Sequence, residues 1–319
     1  MKKWLLLLLL TSASTQAAEQ GVKEISPGRL LLKEGEMAVG IGPAPVKIER
    51  VLIILHGRLR NAETYRRNAE RAAQQAGQDA NTLVIAPQFL NETDVARHPV
   101  ADTVLRWQGN EWMAGGLSTA PFTLSAYAAL DQIIARLGDR RQFPDVKDVV
   151  IAGHSGGAQV VQRYALLSHD QPELQAAGVH VRYVIANPSS YAYFDERRPV
   201  AFSHAGCVDF NRWKYGLADL PAYAEGQTAP QLEEKYVQRD IVYLLGQQDI
   251  DPNHPALDKG CEARAQGANR LARGRNYFEY LKRRHPQGLN QQLIEVPGVG
   301  HDGGEMLMSP EGQKAVFGQ

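Results

Sequence analysis

Residues 153–157 read Gly153-His154-Ser155-Gly156-Gly157. A serine hydroxyl is a poor nucleophile at neutral pH, so it attacks a carbonyl only when a base takes its proton and an acid orients that base. The pattern G-x-S-x-G places such a serine on a sharp turn from strand to helix, with its hydroxyl held proud of a sheet. The outer glycines serve that turn. A Cβ at position 153 or 157 would clash with the neighbouring strand or helix, while the serine takes strained backbone angles. Downstream, few residues can act as partners: Asp249 in Leu245-Gly246-Gln247-Gln248-Asp249, Asp251 two residues on, and His301 in Val299-Gly300-His301-Asp302-Gly303.

These residues need elements to hold them. Asp145 to Ala152 is strand-like and Ala158 to Leu167 helix-like, so Ser155 falls at the junction the motif requires. Further strands are expected at 51–55, 82–86, 181–186, 241–245 and 292–296. Helices are expected at 61–76, with Asn61 as N-cap, and at 123–137 and 268–284. A last helix should start at Ser309-Pro310-Glu311. Strand–helix alternation of this kind predicts an α/β fold, a doubly wound, mostly parallel sheet covered on both faces. Ligands then bind beyond the carboxyl ends of the strands. Three segments resist the alternation: about 87–120, 188–238 and 249–267. Loops this long are uncommon in compact domains unless they have a function, so they are expected to be insertions that wall or cover a cleft.

With the strand ending His56-Gly57, the elbow at 153–157, Gly-x-x-Asp at 246–249 and Gly300-His301 before a final helix, the chain resembles the α/β-hydrolase superfamily over nearly all of residues 19–319. The resemblance implies Ser155 as nucleophile, His301 as base and Asp249 as acid, with Asp251 as the alternative acid. It also implies an oxyanion hole made by the backbone N–H of Gly156 and that of Arg58, with Leu59 as the alternative to Arg58. The HGGG form found in some lipases and esterases is absent, since the loop reads His56-Gly57-Arg58-Leu59. His56 and His154 are read as structural braces. Arg58, Arg60 and Arg106 are read as solvated or structural side chains, with an acidic substrate as the alternative. Trp107 and Tyr191, with Trp112, Tyr193, Trp213 and Tyr215, form either an aromatic substrate wall or the packing of an insertion. Asn187-Pro188-Ser189-Ser190 is a weaker candidate for the cleft lining.

Bulk properties narrow the setting. Lys+Arg 35 against Asp+Glu 35 gives zero formal charge, so nothing electrostatic argues for nucleic acid or an anionic membrane. Lys2 and Lys3, the apolar run Leu5 to Leu10 and small residues to Ala18 predict a Sec-type signal peptide over 1–18. The run is far short of the ~20 residues that span a bilayer, so an exported periplasmic or secreted protein without stable membrane insertion is expected. The mature chain, 19–319, is expected to be one domain. Its two cysteines, Cys207 and Cys261, are expected to form a disulfide linking the second irregular segment to the third. Neither has the company of histidines that a zinc site would need, so no metal site is expected. The function expected is hydrolysis of a small-molecule or polymeric carboxylic ester through an acyl-enzyme, with no metal and no cofactor. A peptidase or amidase on the same triad is the alternative, and a non-catalytic binding protein on a hydrolase scaffold a further one.

Overall fold

The computed structural model describes residues 21–318; the expected signal segment, 1–18, lies outside them. The chain begins with strands β1 (Gly28–Leu31), β2 (Glu36–Ile41) and β3 (Arg50–Leu55), then helix α1 (Ala62–Gln75) and strand β4 (Thr82–Gln88). Helix α2 (Glu92–Arg97), the short strands β5 (Arg106–Trp107) and β6 (Ser118–Ala120), and helix α3 (Ala126–Ala135) follow. Strand β7 (Asp148–His154) runs into α4 (Gly156–Leu167); α5 (Pro172–Ala176) leads to β8 (His180–Ala186). The remainder is α6 (Ala229–Gln238), β9 (Asp240–Gly246), α7 (Cys261–Arg264), α8 (Arg270–Arg284), β10 (Gln291–Val296), α9 (Gly303–Met308) and α10 (Pro310–Phe317).

Eight strands form one sheet in the order β1-β2-β4-β3-β7-β8-β9-β10. From β4 to β10 every pairing is parallel, while β1 and β2 add an antiparallel edge. The period-2 geometry of a strand explains why the central runs are apolar throughout. Val51, Ile53 and Leu55 enter a core with α3, α4 and α8, whereas Leu52 and Ile54 enter another with α1, α9 and α10. Both faces of the sheet are thus covered, as the alternation of strands and helices predicts.

Strand order reverses between β3 and β7, whose ends lie side by side with Leu55 opposite Gly153. A crevice opens beyond the carboxyl ends at such a reversal. Here it is flanked by His56-Gly57 on one strand and Ser155 on the other.

Several elements differ from the expectations. The β1–β2 edge was not anticipated, because its strands are short and carry glycines and charged residues among the apolar ones. The segment 87–120 contains α2 and the β5–β6 hairpin, and 188–238 ends in α6, the crossover helix before β9. The helix expected over 123–137 starts after the Ser125 cap and closes in a 3₁₀ turn at Arg136–Gly138. Asn61 precedes α1 without a side-chain cap bond. Ser309 does cap α10, accepting from the Gly312 amide at 2.9 Å. Cys207 and Cys261 are disulfide-bonded, which ties the second irregular segment to the third. Among the described residues no helix is long and apolar enough to cross a membrane.

Candidate active site

Ser155 sits between β7 and α4 at φ 58° and ψ −116°, a left-handed conformation that costs a non-glycine residue about 1–3 kcal/mol. Its neighbours leave no alternative path. A Cβ on Gly153 would stand 2.5 Å from the Gly157 carbonyl, and one on Gly157 would collide with the Leu55 carbonyl oxygen. The Ser155 amide donates to Ala186 O on β8 at 2.9 Å, which pins the turn to the sheet.

The Ser155 hydroxyl is 3.0 Å from His301 Nε2, and His301 Nδ1 is 2.7 Å from Asp249 Oδ2. A carboxylate only accepts, so the imidazole proton lies on Nδ1 and Nε2 is free to accept from the serine. This arrangement can polarise the hydroxyl. Asp249 is buried just past β9, whereas Asp251, the alternative, is exposed and accepts from the Asn253 amide. Asn187, past the end of β8, holds both loops together. Its Oδ1 accepts from the Gly246 amide at 2.9 Å, and its Nδ2 donates to Gly300 O at 3.3 Å.

Gly156 opens α4, so its N–H is one of the free amides of a helix start and lies at the positive end of the dipole. A Cβ on Gly156 would be 3.0 Å from the Arg58 nitrogen, so the two amides flank one small space beside Ser155. Leu59, the alternative donor, is 62% exposed. His56 fixes the loop from beneath. Its Nε2 accepts from the Phe89 amide at 3.0 Å and its Nδ1 lies 2.8 Å from Gly57 O, a pair satisfied only by the neutral ring. Burial accordingly pushes the His56 pKa down to about 4. Arg60 donates to the Arg58 carbonyl at 3.0 Å and pairs with buried Asp94 at 2.6 Å. His154, whose pKa burial holds well below the ordinary histidine range, contacts Tyr65 Oη through Nδ1 at 3.0 Å.

Two cavity lobes meet at Ser155, sharing Arg58 and Ala256. One of about 400 Å³ extends past His301, His254 and Asn61. The other, about 270 Å³, lies beside Gly156 and is lined by Asn110, Gln159, Ser189, Lys214, Tyr215 and Asp258. All three irregular segments contribute. The substrate-wall expectation does not hold for Trp107 and Tyr191, which are fully buried and line neither lobe. Trp107 packs on Phe89 and donates to Gly116 O at 3.0 Å, and Tyr191 stacks on Tyr277 at 4.5 Å. Tyr215 alone of those aromatics reaches the cleft; its hydroxyl donates to Asp258 Oδ2 at 2.8 Å.

Three groups escaped the sequence reading. Buried Arg270 donates to Asp249 Oδ1 at 3.3 Å and to Ser189 Oγ at 3.2 Å, clamping the carboxylate from the side opposite His301. Arg273, one turn on, donates to Asp258 O at 2.9 Å, and burial lowers its pKa to about 10. His254 lies edge-on to His301 at 4.9 Å and accepts from the Ala256 amide through Nδ1, which leaves Nε2 as its donor. A signal existed for the arginines. Cations in the first turn of a helix oppose its dipole, so Arg270 and Arg273 at the start of α8 answer to something outside it. Among the described residues, Cys207, Cys261 and Glu262 form a cluster of metal-ligating types, with both sulfurs taken up in the disulfide.

No family model matches the chain, and no curated protein matches it in sequence. Solved structures do match. Poly(aspartic acid) hydrolase-1 from Sphingomonas sp. KT-1 aligns with a TM-score of 0.64 at 23% identity, covering 92% of this chain and 99% of that one. A poly(3-hydroxybutyrate) depolymerase from Bordetella parapertussis aligns with a TM-score of 0.62 at 24% identity, covering 88% of this chain and 86% of that one. Likeness at this identity speaks to architecture, and together with the eight-stranded sheet it establishes that this chain has the α/β-hydrolase fold.

Proposed function

We propose that the chain is an exported serine hydrolase that cleaves carboxylic esters through an acyl-enzyme. The observation carrying this reading is the contact chain from Ser155 Oγ through His301 to Asp249, at 3.0 and 2.7 Å. Ser155 Oγ attacks the ester carbonyl while His301 Nε2 takes its proton, and Asp249 steadies the resulting imidazolium. The amides of Gly156 and Arg58 receive the negative charge on the carbonyl oxygen. Collapse breaks the bond to the leaving oxygen, which takes the proton from His301. Water, deprotonated by the same imidazole, then attacks the acyl-enzyme; the acid leaves and the proton returns to Ser155. No step calls for a metal or a cofactor.

Residues 19–319 are read as one catalytic domain, with the segments 87–120, 188–238 and 249–267 as insertions that line the cleft. Export is supported by the signal-like residues 1–18 and by the disulfide, a bond that persists in oxidising compartments. The substrate is a small or polymeric ester, in keeping with a fold neighbour named for poly(3-hydroxybutyrate). An amide substrate is the second reading, favoured by the neighbour named for poly(aspartic acid). Turnover of p-nitrophenyl acyl esters of increasing chain length tests the proposal. We expect activity that survives chelators and falls by at least about 10⁴-fold in Ser155→Ala. No turnover of esters or of peptide p-nitroanilides, with no fluorophosphonate labelling, would point to a binding protein.

A further inference from the structure

Resting on the reading of Ser155 as nucleophile, the two lobes separate by the proton's path. The leaving group must collect its proton from His301 Nε2, so it departs into the larger lobe, which His301 lines. The acyl portion then occupies the smaller lobe on the Gly156 side.

That lobe contains an uncommitted cation. Lys214 lines it, with its ammonium 5.5 Å from the centre of the Tyr215 ring. Among the described residues it has neither a hydrogen bond nor a carboxylate within ion-pair distance. The carboxylate in the same wall, Asp258, is already engaged: Oδ2 accepts from Tyr215 and Oδ1 from the Gly260 amide at 3.0 Å. Arg163, Arg270 and Arg273 stand behind the wall. Arg163 and Arg273 donate mainly to carbonyls and neutral side chains, and neither has a carboxylate within ion-pair distance among the described residues. Burial and the charge of Arg163 lower the Lys214 pKa, opposed by Asp258, Glu111 and Glu262 acting from beyond ion-pair distance. An ammonium drawn out of water without a counter-ion is costly, and a ligand that brings the missing charge removes the cost.

We infer that Lys214 binds a carboxylate carried on the acyl portion of the substrate, making this a hydrolase of half-acid acyl groups. The side-chain amides of Gln159 and Asn110 in the same lobe supply neutral hydrogen-bond donors around that carboxylate. An acyl unit ending in methyl would leave the ammonium unpaired. The inference therefore separates two polymer chemistries, favouring acyl units with a free carboxylate over neutral hydroxyalkanoate units.

The test compares two esters of one acid: mono-p-nitrophenyl adipate, with a free carboxylate, and its methyl ester, which lacks the charge. The readout is the ratio of their kcat/KM values within each protein, corrected for spontaneous hydrolysis. We expect the wild type to prefer the free acid by about tenfold or more, the scale of a hydrogen bond to a charged group. Lys214→Met should bring the ratio near one, Lys214→Glu should invert it, and Lys214→Arg should retain the preference. A ratio near one in the wild type, or one that Lys214→Met leaves intact, overturns the inference while the methyl ester still reports a working hydrolase. Turnover of neither ester overturns the hydrolase reading and this inference with it.

Discussion

Ser155 adopts backbone angles that glycine takes freely and a residue with a Cβ takes only at a cost. Both Ser155→Ala and Ser155→Gly remove the hydroxyl, yet only glycine relieves the strain. We expect both to be inactive, with Ser155→Gly unfolding about 1–2 kcal/mol later than Ser155→Ala in urea. Equal stabilities would show that the elbow is unstrained. His56 gives a second prediction, set by pH. Its pKa is about 4 in the fold against 6.5 for the free side chain, so the unfolded chain takes up the proton first. Its contribution is intact above pH 6.5 and is lost as pH falls towards 4, by roughly 3 kcal/mol. His154 acts in the same direction, while His180, raised by its bond to Asp240, works against them near a strand start. Imidazole NMR should find His56 neutral at pH 5; a ring that protonates there would refute the locked tautomer.

At the scale of elements, the turn from β7 to α4 and the disulfide decide how the cleft is assembled. Gly157→Ala drives a Cβ into the Leu55 carbonyl, so we expect about 1–3 kcal/mol of destabilisation and loss of turnover together. Cys207–Cys261 joins the segment bearing Lys214 to the segment bearing His254, across a separation of 54 residues. Removing it with Cys207→Ser and Cys261→Ser should cost about 2–5 kcal/mol and raise KM more than it lowers kcat, because it fixes walls and leaves the relay alone. A fall in kcat with KM unchanged would contradict that division. The strands and the elbow were legible because buried parallel strands are continuously apolar and the turn admits only glycine at 153 and 157. The strands β1 and β2 were not, since they are short and interrupted by glycine and charged residues, which leaves little periodicity. The helix α6 was hidden inside a segment read as irregular.

Over the whole molecule, the residues that surround Ser155 come from chain positions far apart. His301 and Asp249 could be nominated from their places after strands, with Asp251 as the alternative acid, and the fold buries Asp249 while it exposes Asp251. Lys214 and His254 carry no local motif; long-range packing alone brings them to the cleft, and it sets Arg270 behind them against Asp249. Trp107 and Tyr191 misled for the converse reason, because an aromatic residue in an irregular segment reads alike whether it walls a cleft or fills a core. The proposed mechanism requires that Ser155 be acylated during turnover. The most direct measurement is stopped-flow hydrolysis of p-nitrophenyl acetate, with the quenched protein analysed by peptide mass. We expect a burst of about one p-nitrophenol per protein and one acetyl group on Ser155, both absent in Ser155→Ala. Turnover with no burst and no acetyl group on Ser155 in the quenched protein, or acetyl on another residue, would contradict the account.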